Sequence, residues 1–256
     1  MSAMQDADAE RYPNLHPDAY DLAILHPQYR KMMGGNFYNF GLWSEASDTP
    51  EIASARLTQA AIDLDRETES ARTVLDVGCG LGAGSAQIAD VYCHAKVCGI
   101  NYSPRQIARA ETTYRKENLS FQCADAVALP FPDGSVDRVF CIEAAMHFQT
   151  RVDFLDEVWR TLRPGGQLYA ADILCTKAND IIPAENVVPD GASYAAKCRS
   201  AGFEVLVLDT ITDRTVGPFA AHLKRSGRGP IARFIKDMTQ EYILVALRKE
   251  AKTNGG

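Results

Sequence analysis

Residues 74–85 read V-L-D-V-G-C-G-L-G-A-G-S, and this stretch decides the fold. Apolar residues lead into Asp76, after which every second residue is a glycine: Gly78, Gly80, Gly82 and Gly84. This pattern predicts a buried strand that turns sharply into a helix. Glycine at such a turn accepts a positive φ and leaves bare backbone for a ligand, while the first N–H groups of the helix point toward it. We therefore expect a binding site for an extended ligand at this turn.

The charge of Asp76 distinguishes two classes of ligand that bind at such turns. Gly78, Gly80 and Ala83 satisfy the dinucleotide fingerprint G-x-G-x-x-G/A, which places a pyrophosphate at the helix start. A carboxylate about 5 Å from a pyrophosphate would repel it by roughly 3 kcal/mol at an effective dielectric constant of about 20. S-adenosylmethionine carries a sulfonium and an ammonium against one carboxylate, so its methionine end is net positive and suits Asp76. A turn without any ligand is the third alternative.

Length and charge narrow the class of protein and of partner. The chain has 256 residues, which suits one α/β domain with extensions, and its formal charge is −6. We expect an N-terminal arm with lid helices over 1–65, a main domain over 66–250 with a helical cap at about 215–240, and a flexible tail over 251–256. Because nucleic-acid binding requires clustered positive charge and the chain has no dense Lys/Arg run, we expect no nucleic-acid partner.

The cysteines and the first residues bear on the compartment. Seven cysteines are scattered without a C-x-x-C pair, which is typical of reduced thiols in the cytosol. The N-terminus lacks a basic region followed by an apolar core, and no stretch approaches about 18 apolar residues. We therefore expect a cytoplasmic protein that does not insert into a membrane.

Strand and helix patterns alternate after the glycine turn. Strands are predicted at 96–101, 119–123, 136–142, 168–173, 203–210 and 242–247. Helices are predicted at 83–91, 104–117, 152–162 and 193–201. This alternation predicts a parallel sheet with helices on both faces. Between the last two strands, residues 218–239 contain two amphipathic helical patches, which form either part of a substrate cap or a solvated basic face.

Helices are also predicted before the glycine turn. One pattern runs from Asp18 to Met33, and a second helix opens with Thr49 as N-cap and Pro50 at its first position. The predicted apolar face of the second helix consists of Ile52, Ala55, Ala60 and Leu64.

An aromatic segment, N-F-Y-N-F-G-L-W, lies between these helices at 36–43. Four rings in so short a segment need a surface to cover. They either seal the core or form a lid over a cofactor and substrate, and Tyr38 is our candidate for a lid residue at the cofactor.

Four segments in register resemble the motifs of the class I S-adenosylmethionine-dependent methyltransferases. They are V-L-D-V-G-C-G-L-G (74–82), G-I-N-Y-S-P (99–104), A-D-A-V-A-L-P-F (124–131) and L-R-P-G-G (162–166). The resemblance implies a Rossmann-like, doubly wound, mostly parallel seven-stranded sheet whose last strand is antiparallel. The aromatic segment and E-A-A-M-H-F (143–148) are similar to the small-molecule branch, which includes natural-product O-methyltransferases and sterol and tocopherol C-methyltransferases.

The resemblance implies roles for residues at the glycine turn and at the second strand. Gly78, Gly80 and Gly82 let the backbone approach the methionine moiety of S-adenosylmethionine, and Asp76 favours its positive end. Asn101 lies at the tip of the second strand, where the family usually has an acidic residue that binds the ribose hydroxyls. An amide both donates and accepts hydrogen bonds, so we expect a ribose contact from Asn101.

Further positions complete the predicted cofactor site. Gln106 closes an S-x-x-Q capping box at the start of the next helix and is counted among the cofactor-binding residues. Asp125 matches the carboxylate that accepts from the adenine amino group, with the Ala126 N–H placed for a ring nitrogen. A turn-forming role is the alternative for Asp125. Glu143, at the end of the fourth strand, is expected to line the cofactor or substrate pocket.

The predicted catalytic residues are His147 and Asp172. Methyl transfer is an in-line displacement, so the enzyme aligns the acceptor and removes its proton where required. His147 follows the tip of the fourth strand, and a histidine with a pKa of about 6.5 suits proton removal at neutral pH. Asp172, near the tip of the fifth strand, would hold the other ring nitrogen. A capping role for both residues is the alternative, and family members often carry a second histidine where Met146 stands.

Three functions remain open at this point. The first is an O-methyltransferase acting on a hydroxylated, natural-product-like small molecule, and the second is a C- or N-methyltransferase of the same branch that needs no base. The third is a protein that binds the cofactor without turnover. We assign no metal ligands, and a homodimer is possible.

Overall fold

The computed structural model describes residues 17–250, so the predicted polar N-terminus and the tail at 251–256 lie outside the described residues. The strands are β1 (Thr73–Val77), β2 (Lys96–Asn101), β3 (Leu119–Cys123), β4 (Val136–Ile142), β5 (Leu162–Cys175), β6 (Phe203–Thr210) and β7 (Thr239–Lys249). The helices before β3 are α1 (Pro17–Leu25), α2 (Pro27–Met32), α3 (Pro50–Ile62), α4 (Ala83–Val91) and α5 (Pro104–Thr113). Those after it are α6 (Arg151–Thr161), α7 (Gly191–Ser200), α8 (Thr212–Arg225) and α9 (Gly229–Met238).

The seven strands form one sheet in the order β3-β2-β1-β4-β5-β7-β6. β1 to β5 run parallel to one another, and β7 lies antiparallel between β5 and β6. This confirms the doubly wound, mostly parallel sheet with an antiparallel last strand. The strand order reverses at β1, between β2 and β4, and ligands of open α/β sheets bind outside the carboxyl ends of strands at such a reversal.

Alternate residues of the central strands pack into two separate cores, because successive side chains of a strand point to opposite faces. Phe140 and Tyr169 lie in the core on one face, and their rings stack with centroids 5.2 Å apart. Val139 and Leu168, each one position earlier in its strand, lie in the core on the other face. A sheet buried on both faces explains why these strands read as nearly continuous apolar runs.

Two predictions about the N-terminal helices differ from the structure. The helix expected over 18–33 is two helices, because His26 acts as N-cap of α2 and Pro27 takes its first position. α3 begins as predicted behind Thr49, and Ala60 and Leu64 of its predicted apolar face pack against the core. The prediction is wrong at Ile52, which is 50% exposed, while Ala53 and Leu57 are fully buried. The alanines of α3 lie on several sides of the helix, so its sequence pattern did not determine which face packs on the sheet.

Of the two helices of the predicted cap, α8 packs beside the aromatic segment, and α9 packs against α8. The ring of Phe219 in α8 stacks on Phe40, with centroids 5.0 Å apart, and His222 faces the indole of Trp43. α8 therefore supports the aromatic segment from behind. Within residues 17–250, no helix combines the length and apolar content needed to cross a bilayer.

Gly82 gives a test of packing at the start of α4. It has a φ of +87°, and an added Cβ would lie 2.8 Å from the ring of Phe121 and 2.9 Å from Ala110. Gly134 also has a positive φ, +61°, but its Cβ would meet no atom within 4 Å. We expect Gly82→Ala to lose about 1 to 3 kcal/mol more unfolding free energy than Gly134→Ala, the usual cost of overpacking, in urea titrations. Equal losses for the two variants would contradict this packing role.

Candidate active site

A cleft of about 990 Å³, counted to its open mouth, lies at the carboxyl ends of β1, β2 and β4. Its position agrees with the reversal in strand order. The structure brings together nine of the predicted site residues in its lining: Tyr38, Gly78, Gly80, Asn101, Gln106, Asp125, Ala126, Glu143 and His147. Asp76, Gly82 and Asp172 lie behind this lining.

The glycines of the turn after β1 serve different purposes. Gly78 has a φ of +82°, and a Cβ there would lie 2.3 Å from the Cβ of Ala144, so glycine is required by close packing. Gly80 has a φ of +54°, and a Cβ there would meet no atom within 4 Å. Its backbone is therefore open to a ligand in the cleft. Gly82 packs against Phe121 and does not line the cleft, so its place at the cofactor stays a prediction.

Asp76 lies beneath the turn and is 3% exposed. The hydroxyl of Ser85 donates a hydrogen bond of 2.5 Å to its Oδ2. Burial raises the pKa of Asp76 to about 6, while the Ser85 hydrogen bond opposes the rise. The carboxylate therefore lies behind the backbone of the turn and not in the lining of the cleft, and its effect on a positively charged ligand stays a prediction.

The tip of β2 carries a connected set of polar side chains. The Asn101 amide donates to Gln106 Oε1 at 2.7 Å, and its Oδ1 accepts from the Tyr102 N–H. Ser103 caps α5 by accepting from the Gln106 N–H, as the S-x-x-Q pattern predicts. The Gln106 side chain does not complete the capping box but donates to Asp21 of α1 at 2.7 Å.

Asp125 and Ala126 line the cleft beyond β3. The N–H of Val127 donates to Asp125 Oδ1 at 3.1 Å, so this carboxylate also stabilises its own turn. The turn-forming role and the place in the cleft are therefore both present. A carboxylate is an acceptor of the kind that a ligand amino group requires.

Glu143 joins the cleft to the aromatic segment and to β7. Its Oε2 accepts from the Phe40 N–H at 2.9 Å and from the Tyr242 hydroxyl at 2.5 Å. Burial raises the pKa of Glu143 to about 8. Glu143 and Tyr38 also have positive φ values, +54° and +56°, which non-glycine residues adopt rarely and mostly at functional sites.

The aromatic segment contributes residues both to the core and to the lining of the cleft. Phe40 and Trp43 are buried and belong to the core. Phe37 and Tyr38 line the cleft, and burial raises the pKa of the Tyr38 hydroxyl to about 12. The core role is therefore confirmed, and the lid over a cofactor and substrate stays a prediction.

His147 lies in the lining of the cleft at the end of a short 3₁₀ turn. Its Nδ1 lies 2.7 Å from the carbonyl oxygen of Ile181. Because a carbonyl oxygen only accepts, Nδ1 must carry the proton, which leaves the lone pair on Nε2. Burial lowers the pKa of His147 below its ordinary value, so the ring is neutral at neutral pH.

The predicted hydrogen bond between Asp172 and His147 is wrong. Both carboxylate oxygens of Asp172 face the guanidinium of Arg151, at 2.8 and 3.3 Å, and both side chains are almost fully buried. The backbone carbonyl of Ile181 orients His147 instead. Asp172 points to the opposite face of β5 from Tyr169 and Ile173, where α6 brings Arg151.

Arg151 and Asn186 connect Asp172 to the loop that carries His147. Arg151 donates through its guanidinium to the Asn186 carbonyl, and its N–H donates to Asn186 Oδ1. The Asn186 amide donates to the carbonyls of Met146 and Phe148, at 3.0 and 2.6 Å. These two residues flank His147, so Asp172 is connected to the histidine through the loop on either side of it.

Sequence reasoning missed Arg151, Asn186 and Asp21. Arg151 occupies the first position of α6, where the helix dipole disfavours a cation, and this was a signal of a special partner. Asp21 interrupts the apolar run A-Y-D-L-A-I-L of α1, which is a signal of a buried polar contact. No local pattern distinguishes Asn186 from other loop asparagines.

Comparisons with known proteins agree with this geometry. The family model described as a methyltransferase domain matches residues 75–170. The O-methyltransferase resE of Aspergillus sclerotiorum is 31% identical over 230 residues, which cover 82% of this chain and 86% of that protein. The chain belongs to the class I S-adenosylmethionine-dependent methyltransferases.

Two further proteins extend the comparison. The methyltransferase GfsG of Streptomyces halstedii is 32% identical over 217 residues, covering 77% of this chain and 76% of the relative. The crystal structure of the [4+2]-cyclase SpnF superposes with a TM-score of 0.73 and covers 93% of this methyltransferase and 97% of that chain. At 23% identity, the likeness to SpnF shows the Rossmann-like fold alone.

The residues of the cleft fit S-adenosylmethionine. Gly80 exposes backbone that no neighbouring side chain covers, which suits the methionine moiety. Carboxylates that can accept hydrogen bonds from a ligand line the cleft beside the β2 tip, in Asp21, and beyond β3, in Asp125. The apolar side chains of Ile100 and Phe148 lie between these polar positions in the same lining, as a flat purine ring requires.

The Arg151–Asp172 ion pair gives a stability prediction. Asp172→Asn leaves a buried guanidinium without its counter-charge, which typically costs about 3 to 5 kcal/mol. The matched control is Glu204→Gln, which removes the carboxylate facing Arg248 in a half-exposed ion pair and should cost about 0 to 1 kcal/mol. Denaturant titrations measure both losses. A loss under about 1 kcal/mol for Asp172→Asn would contradict the structural role of this pair.

Glu143 gives a prediction of pH dependence. Its pKa is about 8 in the folded protein and near 4.5 when unperturbed, so the folded state binds this proton more tightly. The stabilisation is complete below pH 4.5 and is lost as the pH rises through about 8. Glu143→Gln keeps an acceptor for Phe40 and Tyr242 but cannot ionise. Its unfolding free energy relative to wild type should therefore rise from pH 5 to pH 9, about the window between the two pKa values.

Urea titrations across this pH range measure that difference. The exposed Glu51→Gln, in the first turn of α3, is the control and should show no such rise. A constant difference between wild type and Glu143→Gln would mean that Glu143 has an ordinary pKa.

Proposed function

We propose that this enzyme transfers the methyl group of S-adenosylmethionine to a hydroxyl of a small, natural-product-like molecule, with His147 as the general base. The observation that carries the proposal is the contact of His147 Nδ1 with the Ile181 carbonyl, which leaves a basic Nε2 in the cleft. The fungal relative described above, named as an O-methyltransferase and similar over most of both chains, supports transfer to oxygen.

Different residues of the cleft would bind different parts of the cofactor. The backbone at Gly80 would hold the methionine moiety, the side chains at the β2 tip the ribose, and Asp125 with Ala126 the adenine. When bound, S-adenosylmethionine supplies an electrophilic methyl carbon on its sulfonium. The remaining task of the protein is to align an acceptor and to take its proton.

Nε2 of His147 would take the proton of the acceptor hydroxyl, while S-adenosylmethionine would supply the methyl carbon and leave as S-adenosylhomocysteine. The lowered pKa of His147 keeps the ring unprotonated, and therefore ready to accept a proton, throughout the neutral range. When Nε2 takes the proton, the hydrogen bond from Nδ1 to Ile181 is retained and strengthened, because the donor becomes cationic. The carbonyl thus orients the base and stabilises its charged form.

Glu143 favours an uncharged acceptor over a cationic amine. With a pKa of about 8, its carboxyl is mostly protonated at neutral pH and presents little negative charge to the cleft. A cationic amine would instead be stabilised by an ionised carboxylate. Methyl transfer to carbon or nitrogen without a base is the competing function, and the experiment below distinguishes it.

The test begins with the acceptor. Candidate hydroxylated natural products and cell extracts are incubated with enzyme and S-adenosylmethionine, and mass spectrometry identifies a metabolite that gains one methyl group. With an accepted substrate, His147→Ala should reduce the single-turnover rate by about 100- to 10,000-fold, the usual contribution of a positioned base. Binding of S-adenosylhomocysteine should stay unchanged.

The pH profile and a matched histidine complete this test. Wild type should lose rate at low pH with a pKa below 6.5, because protonation of His147 removes the base, and His147→Ala should lack this limb. His94→Ala, at an exposed position, should behave as wild type. Near-full activity in His147→Ala would exclude the base and favour transfer to carbon or nitrogen.

A further inference from the structure

Asp21 is a buried carboxylate of the N-terminal helix α1 that reaches the cofactor cleft. It is 2% exposed and lies in the cleft lining beside the β2 tip. Its Oδ1 accepts from the Gln106 amide and its Oδ2 from the Ser103 hydroxyl, both at 2.7 Å. Helix α1 is therefore fastened to the β2 tip by two hydrogen bonds to one charged group, and such bonds are stronger than neutral ones.

For each hydrogen bond in the series from β2 to Asp21, the structure determines which side chain donates and which accepts. The Tyr102 N–H donates to Asn101 Oδ1, so the Asn101 amide group must point toward Gln106. That amide donates to Gln106 Oε1, so the Gln106 amide must point toward Asp21. The series ends at the Asp21 carboxylate. Its two oxygens can accept more bonds than the two that they receive from Ser103 and Gln106.

We propose that Asp21 supplies the carboxylate that binds the ribose hydroxyls of the cofactor, in place of the acidic residue that β2 lacks. Asn101 is uncharged and its amide is committed to Gln106, so it positions Gln106 and is not the main ribose ligand. Since Asp21 belongs to α1, binding of the cofactor and docking of α1 stabilise each other. This inference rests on the cofactor and not on the identity of the acceptor.

The first test compares two ligands by calorimetry, S-adenosylhomocysteine and its analogue that lacks both ribose hydroxyls. Wild type should bind S-adenosylhomocysteine about 10- to 100-fold more tightly than the analogue, the range for hydrogen bonds to a charged group. Asp21→Asn keeps the shape of the side chain but removes its charge, and it should reduce this preference to a few-fold. The exposed Asp213→Asn in α8 is the control and should keep the full preference.

A purely structural role for Asp21 would have a different signature. Both ligands would then bind Asp21→Asn more weakly by the same factor, and the preference for hydroxyls would remain. This result would overturn the proposal. A wild-type enzyme that binds the two ligands equally would overturn it as well, without any variant, so the test does not depend on how Asp21→Asn folds.

A double variant tests the polarity of the side-chain series. With Asn101→Asp alone, the Gln106 side chain lies between two carboxylates, and its carbonyl oxygen must face one of them. This variant should therefore weaken S-adenosylhomocysteine binding. In Asn101→Asp combined with Asp21→Asn, the Gln106 amide can reverse, donating to the new carboxylate at position 101 and accepting from the new amide at position 21. We expect the double variant to regain hydroxyl preference to within about threefold of wild type. If the losses caused by Asn101→Asp and Asp21→Asn simply add in the double variant, the proposed series of hydrogen bonds is contradicted.

Hydrogen exchange tests the coupling to α1. Amides of residues 21–25 should exchange more slowly when S-adenosylhomocysteine is added to wild type, and this protection should be lost in Asp21→Asn. Protection of equal size in both proteins would mean that α1 docks independently of Asp21.

Discussion

The buried ion pair between Arg151 and Asp172 is the constraint on which the catalytic half of the cleft depends. Two charges removed from water are costly, and a buried pair is tolerated only where geometry and further hydrogen bonds compensate. Here the guanidinium also donates to the carbonyls of Ile173 and Asn186, so its donors are distributed over β5 and the loop after it. Asn186 then holds the backbone on both sides of His147. The loop that carries the histidine is thus held by backbone hydrogen bonds, and Nδ1 of the ring bonds the Ile181 carbonyl.

Other ionisable groups at the cleft also present little charge to its interior. Asp76 lies behind the glycine turn, Glu143 holds its proton to a pKa of about 8, and His147 is neutral. The negative charge of these groups is therefore set back from the lining of the cleft or neutralised by a proton. The site is also held rigidly, because Glu143 hydrogen-bonds both the aromatic segment and β7. Such preorganisation is what alignment of an in-line transfer requires.

The sequence predicted what short-range patterns determine. The glycine turn, the N-caps at Thr49 and Ser103 and four of the predicted strand ranges follow from residues within a few positions of each other, and the structure confirms them. The strands predicted at 168–173 and 242–247 are longer in the structure, at Leu162–Cys175 and Thr239–Lys249. Parallel strands bring their carboxyl ends to one edge, so nine predicted residues meet in one cleft although they are spread over 38–147. The partner of His147 could not be predicted in this way. A backbone carbonyl such as that of Ile181 has no sequence signature, and Asp172 was the nearest plausible side chain.

The claim that a neutral, carbonyl-oriented His147 is the functional element of this cleft can be measured directly. ¹⁵N NMR of the ring nitrogens, assigned by comparison with His147→Gln, reports which nitrogen carries the proton and at what pH the second proton binds. We expect the Nδ1-protonated tautomer at neutral pH, with titration below the ordinary pKa of 6.5. An Nε2-protonated ring, or an imidazolium that persists above pH 6.5, would contradict the orientation and the role of this histidine.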